Sequence, residues 1–190
     1  MKKKKTIIWA VVIGVVLLFT IIAVSSYNGL VDAREGVESS YSDVSVYLQR
    51  RADLIPNLVN TVKGYTDYEQ STLTAVTEAR TAFQKANSVN DQIEASNQLE
   101  TALDVWVNAV TEAYPDLKSN TQFTALMDEL SGTENRIATA RKDFNDAARE
   151  YNSSIKKFPK SILAGMFGFE EFKYFEASAG AESVPQVDFN

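Results

Sequence analysis

Eighteen consecutive residues without a charge, "IIWAVVIGVVLLFTIIAV" at positions 7 to 24, follow four lysines at positions 2 to 5. As a helix this run rises about 27 Å, enough to cross most of a bilayer's hydrocarbon core, and Thr6, Ser25 and Ser26 extend it at the edges. A lysine block beside an apolar span is held on the cytoplasmic side. The expected arrangement is therefore a single-pass cell-membrane protein with a cytoplasmic N-terminus and residues 27 to 190 outside. A cleaved signal peptide is the competing reading, since Ala23-Val24-Ser25 offers a small-x-small site. The apolar run exceeds the ~7–15 residues usual for such a peptide, which favours an uncleaved anchor.

The body keeps a different rhythm. Tyr27, Leu30, Arg34, Val37, Tyr41, Val44, Leu48, Arg51, Ile55, Leu58, Val62 and Tyr65 follow one another at spacings of three or four. That is the stripe of a long helix packed along one face. Pro56 falls between stripe positions, removes a backbone donor and is expected to kink the helix without ending it. Gly64 ends it, and Thr66 with Glu69 forms a capping box for a second helix. That helix turns Leu73, Val76 and Phe83 inward. Ser88 and Asp91 cap a third helix carrying Leu99, Leu103, Trp106 and Val110, which Tyr114-Pro115 breaks. Ser119 and Gln122 cap a fourth, whose stripe runs Phe123, Met127, Leu130, Glu134, Ile137, Arg141, Phe144, Ala148, Tyr151, Ile155 and Phe158 before Pro159 closes it.

These lengths predict an all-α chain: a transmembrane helix, then an up-and-down four-helix bundle with long coiled-coil-like helices. The expected divisions are 1–26 (cytoplasmic terminus and anchor), 27–159 (bundle), 160–176 (aromatic-rich, at the membrane end) and 177–190 (disordered). In the third segment Phe167, Phe169, Phe172 and Phe175 either cover the open end of the bundle or dip into headgroups. Glu170 and Glu171 weigh against lipid.

Composition removes much chemistry. The chain has no Cys and no His, so no Cys/His zinc site, thiol nucleophile or imidazole base is available. The carboxylates show no metal-ligand spacing, and no P-loop, G-x-S-x-G or G-x-G-x-x-G motif occurs. No cofactor is expected. Apart from its lysine block the chain is acidic, which argues against nucleic acid as a partner. Four charges interrupt the apolar stripes: Arg34, Arg51, Glu134 and Arg141. Glu134 and Arg141 lie seven apart, two turns along one face. They read as ion pairs that fix helix register, with a binding patch or an acid/base carboxylate as the alternative. Arg50, about 100° around the helix from Arg51, points to solvent or a neighbouring helix.

Several blocks resemble the LemA family: "YNGLV" at 27 to 31, "LQRRADLIPNLVNTVKGY" at 48 to 65, "EAYPDLKSN" at 112 to 120, and "ENRIATARKDFNDAAREYNSSIKKFP" at 134 to 159. Tyr68 and Phe144 depart from the family pattern, standing where His and Tyr are usual. The resemblance implies a short cytoplasmic N-terminus, one span and an extracytoplasmic helical bundle, and it implies no reaction. Function is accordingly expected to be that of a scaffold or adaptor presenting a helical surface to envelope proteins. A membrane-shaping or self-assembling homo-oligomer is the alternative, and a carboxylate hydrolase a remoter one.

Overall fold

A computed structural model describes residues 2–64 and 70–176. Among the described residues the chain is all-α, with no strand. Its helices are α1 (Lys2–Lys63), α2 (Gln70–Lys85), α3 (Val89–Ala113), α4 (Thr121–Lys156) and α5 (Lys160–Phe167), with a 3-10 turn at Pro115–Ser119 between α3 and α4. The Thr66–Glu69 capping box, Tyr68 and the 177–190 tail lie outside the described residues.

The apolar run and the first stripe form one element rather than two. Helix α1 is 62 residues long, because nothing between Val24 and Leu30 interrupts a helix: Ser25 and Ser26 remain within it and Gly29 is tolerated at modest cost. Over residues 7–24 its side chains lie outside any core, Trp9 being 67 % and Phe19 68 % exposed. This is one helix long and apolar enough to cross a membrane. The far end stops where glycine predicts, with the Gly64 N–H donating to Asn60 O at 3.2 Å.

Two compact units divide the chain. The first joins residues up to Ser40 with Asp146–Phe172. Its core is Leu30 and Val37 from α1 with Ala148, Tyr151 and Ile155 from α4, all buried. Tyr27 meets the edges of Phe167 and Phe169, with centroids 4.9 and 5.9 Å away. Asn152, buried at 3 % exposure, donates from Nδ2 to Phe172 O and accepts from Phe172 N–H, at 2.8 and 3.0 Å. The Phe172 ring packs edge-on against Tyr151. Helix α5 ends on Gly168 in the left-handed region (φ 71°), a conformation that costs a side-chain-bearing residue energy.

The second unit joins Tyr41–Asn145 with the chain from Lys173 onward. Val44, Leu48, Ile55, Leu58 and Val62 of α1 are buried there, as are Val76 and Phe83 of α2 and the α3 stripe of Leu99, Leu103, Trp106 and Val110. Each such side chain contributes about 1.5–3 kcal/mol relative to exposure. Ser88 caps α3 as expected, accepting from Asp91 N–H at 3.1 Å. The α4 cap shifts by one residue: Asn120 Oδ1, not Ser119, accepts from Phe123 N–H at 2.9 Å, because the 3-10 turn consumes Ser119.

Three stripe positions are exposed, Tyr27 at 37 % among them. Phe158 is 81 % exposed, since α4 ends at Lys156 and the following turn breaks the register. Arg34 faces outward, its side chain 51 % exposed and paired with Glu38 one turn on. A long guanidinium at a stripe edge reaches water readily while its stem stays on the helix.

Candidate functional site

Three of the four stripe charges converge in the second unit. Arg51 on α1 is 1 % exposed and Arg141 on α4 is 8 % exposed. Arg51 donates from Nη1 to Glu134 Oε2 at 3.0 Å and to Glu100 Oε2 at 3.2 Å, and from Nη2 to the Ser96 carbonyl at 3.0 Å. Arg141 donates from Nη2 to the same Glu100 oxygen at 2.6 Å, whereas its approach to Glu134 is only 3.9 Å. Glu100 on α3, 12 % exposed at its side chain, is therefore the hub; Glu134 is 39 % exposed. The expected Glu134–Arg141 pair along α4 is the weakest contact of the set, and the strong ones run between helices.

Sequence reading missed Glu100 because it lies one residue, about 100°, off the α3 stripe. A signal was present: the stripes carry three arginines against one glutamate, and a buried guanidinium requires a carboxylate. Two buried guanidines balanced by Glu100 and Glu134 form a charge set joining α1, α3 and α4. Among the described residues no group of three or more His, Cys, Asp or Glu side chains is placed to hold a metal ion.

Asp104, one turn beyond Glu100, borders the set. Its pKa is raised from the ordinary 3.8 by partial burial first, then by the Glu100 and Glu134 charges, with Arg51 opposing. An acid with a raised folded-state pKa binds its proton more tightly in the native state than in the unfolded chain. Native stability therefore falls as pH climbs from 3.8 through the raised value. Asp104→Asn should raise the melting temperature at about pH 7 and leave it unchanged near pH 3, where both states are protonated. Equal gains at both pH values would show that the effect is not electrostatic.

Pro56 has a partner that sequence did not reveal. Lacking an N–H, it leaves the Ala52 carbonyl without its donor in the i→i−4 ladder. Arg80 of α2 supplies one, Nε to Ala52 O at 2.9 Å. Arg50, half-exposed, pairs with Glu129 of α4, in keeping with its place away from Arg51.

A second constellation lies at the Lys173–Glu176 segment. Asn145 Nδ2 donates to Phe175 O and Asn145 Oδ1 accepts from Phe175 N–H, both at 2.9 Å. The Phe175 ring, 5 % exposed, lies 5.0 Å from the Arg141 guanidinium and edge-on to Phe144. Lys173 reaches Glu94 at 2.8 Å and its N–H donates to Asn90 Oδ1. Phe175 and, in the first unit, Phe172 thus pack against buried aromatic residues. Tyr41, its hydroxyl donating to Gln92 Oε1, has its pKa pushed by burial up to about 12 and stays neutral.

Comparison with known proteins agrees with this reading of the blocks. The LemA family profile matches residues 40–189. The chain is similar to magnetosome protein MamQ 2 of Paramagnetospirillum magneticum, 28 % identical with 90 % of this chain and 74 % of that protein covered. It is 29 % identical to MamQ of Magnetospirillum gryphiswaldense over 85 % of this chain and 70 % of the relative. Protein LemA of Metamycoplasma hominis shares 23 % identity over 85 % of this chain and 74 % of its own length. With Arg51, Glu100, Glu134 and Arg141 all inside the matched stretch, the chain belongs to the LemA family.

Proposed function

We propose that this protein is a membrane-anchored, non-catalytic scaffold whose extracytoplasmic helices form an up-and-down four-helix bundle that presents a surface to envelope partners. What supports this above all is the single helix α1, which carries both the exposed apolar run and core residues such as Leu30 and Val37. A chain built this way fixes a helical body directly to a bilayer. The lysines at positions 2 to 5 favour a cytoplasmic N-terminus. Arg51, Glu100, Glu134 and Arg141 serve as register charges: their carboxylates meet guanidines across helices. Pro56 serves as the point where α2 is tied to α1.

Protease added to intact spheroplasts should degrade the body while the anchor stays with membranes through alkaline extraction. Protection of the body would reverse the orientation, and release into the supernatant would favour cleavage after Ala23 to Ser25. Crosslinking with mass spectrometry on the same cells should then return discrete envelope proteins. A ladder of this chain alone would replace the scaffold reading with self-assembly.

A further inference from the structure

The first unit exposes an apolar set that its core does not use. Phe158 is 81 %, Ile162 56 %, Met166 72 % and Phe167 58 % exposed. Ile162 and Met166 are four residues apart on α5 and share a face. Their density is unusual: four large apolar side chains within ten residues, outside the run that would cross a membrane.

Position explains them. Phe167 and Phe169 pack on Tyr27, and the Lys160 ammonium lies 3.5 Å from where a Cβ on Gly29 would stand. Tyr27 follows the last residue of the apolar run by three positions, about 4.5 Å along the helix. Helix α5 is therefore held at the level where α1 leaves the hydrocarbon. Lys157 and Lys160 flank the apolar set. Of the two glutamates that would oppose an anionic surface, Glu171 is paired with Lys156 at 2.7 Å.

We propose that α5 with Phe158 is a second, interfacial membrane contact, its apolar face sunk into the headgroup–acyl boundary. Such segments sit ~5–10 Å into that boundary, driven by apolar burial and by basic residues meeting anionic lipid. The occupant is the bilayer that α1 crosses, so the inference rests on the anchor reading. It adds to that reading a contact fixing one side of the first unit to the lipid surface.

The cysteine-free chain makes the test clean. Full-length protein in vesicles of zwitterionic and anionic phospholipid would carry one environment-sensitive fluorophore at Ile162→Cys, Met166→Cys, Leu18→Cys or the exposed Asp143→Cys. Headgroup- and shallow-chain spin-labelled lipids should quench the probes at 162 and 166 by at least half and leave that at 143 bright. Quenching at 18 by lipids spin-labelled deep in the acyl chain, with none at 162 or 166 by the shallow labels, would overturn the inference while the anchor stands. No quenching at 18 by the deep label would remove the anchor reading and this contact together. A blue-shifted, lipid-insensitive probe at 166 with energy transfer between copies would show a second copy on the face instead, and would equally overturn it.

Discussion

Glu100→Ala is expected to lower stability more than any other single change among the charged residues, by about 3–5 kcal/mol. The reason is stoichiometric. One Glu100 oxygen takes hydrogen bonds from both Arg51 and Arg141, which are 1 % and 8 % exposed. Its loss leaves Arg141 with only the 3.9 Å approach to Glu134 and takes from Arg51 one of its two carboxylates, while the Nε atoms of both already lack a protein partner. Glu134→Ala should cost nearer ~1 kcal/mol, because that carboxylate is 39 % exposed and water can replace part of its role. Thermal melting of the full chain in detergent, followed by circular dichroism, reads the difference. A drop of about 10 °C for Glu100→Ala against a few degrees for Glu134→Ala is expected. A triple change of Glu100→Leu, Arg51→Met and Arg141→Met should recover much of the loss, since apolar replacement of a whole buried set is often neutral. Equal losses for the two glutamates would refute Glu100 as the hub.

The second large effect couples Pro56 to Arg80. Arg80→Ala should cost about 1–3 kcal/mol, leaving the Ala52 carbonyl with neither a helical nor a side-chain donor. Pro56→Ala restores the helical donor and improves propensity. In the double variant, the Arg80 loss should shrink by ~1–2 kcal/mol relative to the Pro56 background, a coupling that a double-mutant cycle isolates. Additive effects would mean that the proline and the arginine act independently. Pro56→Ala alone should gain little, because the Arg80 bond already satisfies the carbonyl that the proline orphans.

Both predictions concern residues that sequence placed only halfway. The 3-4 spacing located Leu30, Val37, Val44, Leu48 and Ile137 correctly, because burial along one stripe is a local property of the helix. It also found Arg51 and Arg141. It could not find Glu100 or Arg80, whose roles depend on which helix lies opposite. The spacing misplaced Phe158 because the stripe continues in sequence past Lys156, where α4 ends. It misplaced Arg34 because a long side chain set between the buried Leu30 and Val37 can turn aside to pair with Glu38. Asn145 and Asn152 were invisible for another reason. Seven residues apart on α4, they carry no sign in their spacing of what they hold. Their use as amide clamps on Phe175 and Phe172 requires the extended segment at the far end of the chain.

The unbroken helicity of α1 from the apolar run to Ser40 has a mechanical consequence. A helix without a joint transmits rotation as well as position: each residue advances the azimuth by 100°. The orientation of the apolar run about its own axis therefore fixes the bearing of Leu30 and Val37, and with it the side on which residues 146–156 of α4 lie within the first unit. One residue inserted between Ser25 and Ser26 would leave the span and its hydrophobicity intact. It would turn every residue from Ser26 to Ser40 through more than a quarter of a circle against the exposed surface of the apolar run. The junction between that run and the core of the first unit is a phase angle, set by residue count, rather than a tether.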